Sequence, residues 1–311
     1  LTKGIKMPDI HDDFINGLFE KARTNPGRVA VPAADNAEAL EGIAMAMKDG
    51  VLEGGILIGE EDSIRKVAEE VSLELDRFEI VAEPDWDLAA DLAVRSIVEG
   101  RAGFLLKGKL GTSNYLKAVL NRKYGLVPEG RTLSHVAMAM IPTYHKPLFF
   151  GDAAITIDPD VQTKASIIRN IVDVNHRIGI ANPLVALIAA VEKVNPKMKS
   201  TTDAAALVDM AAAGAFPGCV VEGPYDLYIA ISSEAAEIKG VSGKVCGNAD
   251  VLVFPEINSG NVFYKSLKFV PDSWTAAVVG GASIPILLPS RADSAMTKRM
   301  SIVLAAAMTA A

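Results

Sequence analysis

What most constrains this chain is the alternation, from Arg28 onward, of short apolar β-like runs with stretches of helical period. Arg28-Val29-Ala30-Val31-Pro32 predicts a strand, followed by an Ala-rich helix from about Ala37 to Met47. A second apolar strand is expected over Gly54 to Gly59, and Glu61 to Ser72 then places Ile64, Val67, Ala68 and Val71 at helical spacing. Phe78 to Val81 predicts a third strand, and Leu88 to Glu99 another amphipathic helix. This order favours a mostly parallel sheet with helices on both faces. Composition agrees: 50% of residues are hydrophobic but only 6% aromatic, so the core must be built from Ala, Val, Ile and Leu, the residues of a covered parallel sheet.

Leu133 to Pro147 reads as an extended crossing between two units. A second alternating series follows. Strands are expected over Ala153 to Ile157, Leu184 to Ala190, Cys219 to Val221, Val251 to Phe254, Ala276 to Val279 and Ile284 to Leu288. Helices are expected over Gln162 to Ile178, Thr202 to Ala213, near Gly260 to Phe269, and from about Ala292 to Met308. The 311 residues suffice for two domains of ordinary size, and no short repeat points to a solenoid.

The 31 Lys and Arg against 38 Asp and Glu leave a net charge of −7, a poor match for nucleic acid or an anionic membrane. A local basic pocket for a small anion is still compatible with it. Cys219 and Cys246 form neither a CxxC pair nor a disulfide framework, so a reducing, cytoplasmic setting is expected. Leu1 to Asp13 carries charges and no apolar run, which predicts no signal peptide. The longest apolar stretches, such as Pro183 to Val191, are too short to span a bilayer.

Chemistry in open α/β sheets gathers in loops after the carboxyl ends of strands. One such loop is Pro289-Ser290-Arg291-Ala292-Asp293-Ser294, where a helix is expected to begin at or just after Ser290. A helix's first turn has unpaired N–H groups and can receive a phosphate, and an arginine there adds a bidentate donor. Equally, Ser290 can be an ordinary N-cap with Asp293 supporting it. Gly260-Asn261 with Tyr264 and Lys265 marks a second candidate mouth, against a plain solvated helix start. Val191 to Met198, polar after the most hydrophobic strand, is a third, and a plain turn serves as well. In a fourth, Thr112 and Ser113 follow Gly111 amid Lys107, Lys109 and Lys117, which suits an anion or a solvated turn. No P-loop, dinucleotide fingerprint, metal cluster or serine-hydrolase elbow is present, and His11, His135, His145 and His176 lack ligand spacing.

Taken in order, Leu133-Ser134-His135-Val136, Asp152 to Ile155, Val191-Glu192 with Val194 to Met198, Gly223-Pro224, Ala249 to Leu252, Gly260-Asn261 with Tyr264 to Leu267, and Ser290 to Ser294 resemble the phosphate acetyl/butyryltransferase family. The resemblance implies two three-layer α/β/α domains with mostly parallel sheets and an interdomain cleft, as in the isocitrate and isopropylmalate dehydrogenases. It places residues 1–140 with 290–311 in the first domain and 141–289 in the second. It implies a homodimer, no permanently bound cofactor or metal, and transfer of an acyl group between coenzyme A and phosphate. Ser-Arg-Ala-Asp-Ser resembles the butyryl-type motif, so a butyryl or similar short acyl group is expected, with acetyl the alternative. By the same resemblance Arg291 binds the phosphoryl or acyl group and Ser290 hydrogen-bonds the developing charge. Thr112, Ser113, Lys117, Asn261, Tyr264 and Lys265 are further substrate contacts. Where acetyl-type members carry an aspartate as thiol base, this chain has Thr297, leaving Asp293 as the nearest carboxylate. The rivals are a metal- and nicotinamide-dependent hydroxyacid dehydrogenase of similar layout and a non-enzymatic metabolite binder.

Overall fold

Apolar segments that are too short to bury themselves alone pair here into parallel ladders. The computed structural model describes residues 11–290 and 293–310. The chain forms two compact units, one comprising Ile15–Arg131 with 276–310 and the other 11–14 with Thr132–Thr275. Helix α1 (Asp12–Thr24) precedes the first strand.

In the unit built on Ile15–Arg131, β1 (Gly27–Pro32), β2 (Leu52–Gly59), β3 (Phe78–Ala82), β4 (Phe104–Leu106) and β11 (Ile286–Leu287) run parallel in the order β3-β2-β1-β4-β11. Strand β10 (Trp274–Gly280), whose residues from Ala276 on belong to this unit and whose Trp274 and Thr275 belong to the other, lies antiparallel beside β11 through Val279 and Ile286. Val29, Ala30 and Val31 are wholly buried, as a strand covered on both faces requires. Helices α2 (Ala37–Lys48) and α3 (Glu61–Glu70) connect strands that step one way along the sheet, whereas α4 (Trp86–Val98) carries the chain back from β3 to β4. Right-handed crossovers in opposite directions put those helices on opposite faces. The order therefore reverses between β1 and β4, where an open α/β sheet leaves a crevice beyond its carboxyl ends.

In the other unit, β6 (Leu148–Gly151), β9 (Val251–Val253), β7 (Leu184–Ile188) and β8 (Val220–Tyr225) are parallel, with β5 (Ser134–Met140) antiparallel beside β6. Helix α6 (Val161–Arg177) leads to β7 and α7 (Lys199–Ala212) to β8. The short helices α8 (Leu227–Ile231) and α9 (Ser233–Lys239) lie between β8 and β9, and α10 (Ile257–Ser266) follows β9.

The class is the expected one, α/β with mostly parallel sheets, but several segments differ from the sequence reading. Leu133 to Pro147 holds a fully buried strand, β5, rather than a mere crossing. The strand expected over Ala153 to Ile157 lies earlier, at β6. Asp152 ends it by accepting from the N–H groups of Ala154 and Ile155 at 2.8 and 2.9 Å. The two units also divide elsewhere than the expected 140/141 and 289/290. Residues 276–289 belong with the N-terminal strands because β11 pairs with β4, while Thr132–Met140 belong with the other unit because β5 pairs with β6.

Candidate active site

The carboxyl ends of β1, β4 and β11 are stitched together by the segment after β4. Its Gly108 and Lys109 N–H groups donate to the carbonyls of Pro32 and Ala33 at 3.2 and 2.8 Å, and Lys107 N–H donates to Leu287 at 3.0 Å. A side chain at Gly108 would collide with the Ala33 carbonyl, so the close approach of the two loops needs glycine. Over this junction lies a cavity of about 320 Å³ lined by Asn36, Trp86, Lys107, Gly108, Lys109, Pro289, Ser290 and Lys298. Its size falls at the lower end of ligand sites, roughly 300–1,000 Å³.

Three lysines give the cavity its electrostatics. Lys109 is exposed and paired with Asp35 at 2.8 Å, which raises its pKa. Lys107 is buried and donates to the carbonyls of Gly108 and Leu110 at 3.1 and 3.0 Å. Lys298 is 2% exposed, on the first turns of α11 (Ala295–Thr309). Burial pulls its pKa down, against the attraction of Glu38, Asp293 and Glu41.

Ser290 reaches the cavity from a short turn. Asp293 N–H donates to the Ser290 carbonyl at 3.1 Å, and the buried Asp293 Oδ2 accepts from Ser290 N–H at 2.8 Å. Asp293 thus braces the Ser290 turn. Neither residue caps the helix, which starts later than expected: Ser294 is its N-cap, accepting from Thr297 N–H at 3.2 Å. Arg291 lies outside the described residues.

Helix α5 (Thr112–Val119) opens directly after the stitched loop, and its Tyr115, wholly buried, donates its hydroxyl to the Leu287 carbonyl at 3.2 Å. Thr112 and Ser113, at the start of α5, do not line the cavity. Lys117, one turn on, pairs with Asp87 at 3.2 Å and stays in solvent. In the other unit, Asn261 on α10 donates to the Ala153 carbonyl at 2.9 Å. Gly260 beside it passes against the Asp152 carbonyl, leaving no room for a side chain. Tyr264 is buried with its ring edge-on to His135, 5.5 Å between centroids, whereas Lys265 is exposed.

Sequence reasoning did not single out Asn36, Trp86 or Lys298, and it saw Lys107 and Lys109 only as local charge. Lys298 had a legible signal: it stands on a helix whose later residues, Met300 to Met308, are nearly all apolar and buried. Asn36 and Trp86 look like ordinary helix-start residues, and only the strand order brings them to the crevice.

A mostly parallel α/β sheet with a lysine-lined crevice at the reversal of its strand order defines a broad class of folds suited to anionic ligands. Comparison with known proteins narrows it. Residues 85–310 match the family described as "Phosphate acetyl/butaryl transferase". The chain is 44% identical to the phosphate butyryltransferase of Clostridium acetobutylicum, over 90% of this chain and 92% of that one. It is 37% identical to the phosphate acetyltransferase of Thermotoga maritima, over 94% and 99%. A branched-chain phosphotransacylase from Enterococcus faecalis V583 superposes with a TM-score of 0.80 at 30% identity, covering 91% of this chain and 98% of that one. The chain belongs to the phosphate acetyl/butyryl transferase family, and it is an enzyme.

Proposed function

We infer that the enzyme catalyses acyl-CoA + phosphate ⇌ acyl phosphate + CoA on a short acyl group, butyryl or similar. The observation that carries this is Ser290 at a lysine-lined cavity in a chain of this family. The butyryl preference is supported by Ser-Arg-Ala-Asp-Ser and by the 44% identity to a butyryltransferase.

The chemistry asks for a phosphate held beside an acyl carbonyl, with a thiol in line. In the direction of acyl-CoA formation, the thiolate attacks the carbonyl carbon of the acyl phosphate. The C–S bond forms, the C–O bond to phosphate breaks, and phosphate leaves with that electron pair. Ser290 hydrogen-bonds the developing oxyanion, and Arg291 engages the phosphoryl or acyl group. The thiol, with a pKa of roughly 8.5, needs a base at neutral pH, and Asp293 is the carboxylate that touches the Ser290 turn. Thr112, Ser113 and the solvent-facing Lys117 suit the polar, phosphate-bearing part of coenzyme A. Lys265 serves as a further substrate contact, and Asn261 and Tyr264 act from a helix they also anchor. The same resemblance supports a cytoplasmic homodimer without a resident cofactor.

The test is release of free thiol from butyryl-CoA with and without phosphate. Phosphate-dependent release is expected, faster with butyryl- and isobutyryl- than with acetyl-CoA. Release indifferent to phosphate would overturn the reading, and an acetyl optimum would overturn the chain-length assignment. One methylene shifts pocket fit by about 1–3 kcal/mol, enough to order such a panel.

A further inference from the structure

Lys298 is an ammonium group buried without a close acceptor. Buried lysines are ordinarily paired, because an isolated charge out of water is costly. The chain follows that rule elsewhere: Lys164, 3% exposed, holds Asp203 at 2.6 Å, and Lys107 donates to two carbonyls. Lys298 differs. Its ion-pair partner is Glu38 at 3.9 Å, half-exposed and beyond hydrogen-bond reach, and its Nζ donates to no group among the described residues. Its side chain lines the same cavity as Ser290, Lys107 and Gly108.

The ordinary explanation is a structural charge that offsets Glu38, Glu41 and Asp293. That explanation leaves the Nζ donors facing the cavity without a hydrogen-bond acceptor, while burial of the side chain already disfavours its charge. A ligand with several acceptor oxygens supplies that acceptor. A phosphoryl group fits best: it is compact and dianionic, and a lysine meets it as a point charge without a fork's directional demands.

We propose that Lys298 is a binding residue for the phosphoryl group of inorganic phosphate and acyl phosphate, seated between Ser290 and the Lys107 loop. This rests on the acyltransferase reading. Coenzyme A also carries phosphates, and the seat is committed to the transferring one because it adjoins Ser290, where the acyl carbonyl must lie. The group is bound and no proton moves through Lys298. Occupancy replaces its missing acceptors, so phosphate stabilises the folded chain through this residue.

The experiment uses the full chain and its Lys298→Met and Lys298→Arg variants. With butyryl-CoA fixed, Lys298→Met is expected to raise KM for phosphate at least about tenfold, with KM for butyryl-CoA within about twofold of wild type. Lys298→Arg, which keeps the charge, should recover part of the loss. Inorganic phosphate alone should raise the Tm of wild type and leave that of Lys298→Met unmoved. Without phosphate, Lys298→Met should melt no lower than wild type, since it removes a charge that burial disfavours and that only the distant Glu38 offsets. An unchanged KM for phosphate in a folded Lys298→Met overturns the seat. So does a defect confined to butyryl-CoA that vanishes when a dephospho-CoA thioester is compared, which would assign Lys298 to the coenzyme's own phosphate. A loss of kcat alone, centred on the pH at which the thiol ionises, would make it a base instead. If wild type shows no phosphate-dependent thiol release, the acyltransferase reading fails, while the Tm arm still tests the anion seat by itself.

Discussion

Asp293 holds the Ser290 turn by one carboxylate oxygen, and that bond separates two roles which the motif alone leaves merged. As a brace it fixes where the serine stands; as a base it would take the thiol's proton. Asn at this position keeps an oxygen that can accept from Ser290 N–H but removes the basic carboxylate. If Asp293 is the base, Asp293→Asn slows attack of coenzyme A on butyryl phosphate by several orders of magnitude with little change in KM. A rate within about threefold of wild type, with Asp293→Ala severely impaired, assigns it to bracing alone. General-base contributions are commonly about 10²–10⁴-fold, so the two outcomes do not overlap. The sequence could name Ser290 and Asp293 as neighbours in one turn. It could not show that Ser294 takes the cap and frees both of them from that task, because Ser, Asp and Ser all suit an N-cap and the choice depends on where β11 ends.

At the scale of elements, α10 shows how a helix is held in place to present its residues. Glu256 precedes it, accepting from Asn258 and Ser259 N–H at 2.7 and 2.8 Å, and Gly260 lets the helix lie against the Asp152 carbonyl. Glu256→Ala frees two first-turn donors and is expected to cost about 1 kcal/mol, as cap removals do. Urea unfolding measures it: the midpoint should fall with an unchanged slope, and an unchanged midpoint would mean that packing of Tyr264 alone sets the helix. Elements with strong period or long apolar runs, such as β1, α2 and α6, were legible to within a residue or two. Those defined by tertiary partners were not. β4, with three residues, is too short for any period and exists because its neighbours complete its ladder, whereas β11 falls inside the strand expected over Ile284 to Leu288 and is trimmed to two residues. β5 was hidden by its methionines and the prolines that follow it, although every one of its residues is buried.

For the molecule as a whole, the reversal of strand order at β1 and β4 explains why a net charge of −7 is compatible with an anion site: Lys107, Lys109 and Lys298 converge from distant parts of the chain on one crevice. The acidic excess is distributed unequally in its effect on stability. In the unit holding Thr132–Thr275, burial disfavours ionisation of Asp203, Asp226 and Glu256. The hydrogen bonds they accept outweigh it: from Lys164 and Lys199, from Lys239, and from Ser259 and Asn258. Asp160 is held down as well, by Thr163 N–H. In the other unit Asp87 is lowered by Asn114 and Lys117 in full solvent, where such pairs contribute little. Asp91 is lowered despite its burial, through Tyr124 and Lys123. A carboxylate whose folded pKa is depressed binds fewer protons folded than unfolded. Its stabilisation is therefore complete above the unfolded value of about 4, and it drains away as pH falls through the folded one. Asp160, like Asp87, stands in full solvent and counts for little, but three partly buried groups of this kind against one in the other unit should make the unit holding Thr132–Thr275 the more acid-labile. Trp86 and Trp274, the two tryptophans of the chain, lie one in each unit and can report them separately. Fluorescence of Trp86→Phe, which leaves Trp274, is expected to change at a higher pH on acidification below about pH 5 than that of Trp274→Phe. Replacing Asp203 with Asn, which strips Lys164 of its buried partner, should shift the Trp274 transition further up in pH while leaving the Trp86 transition nearer to wild type. Coincident transitions in all three proteins would show that these ion pairs do not set the acid limit.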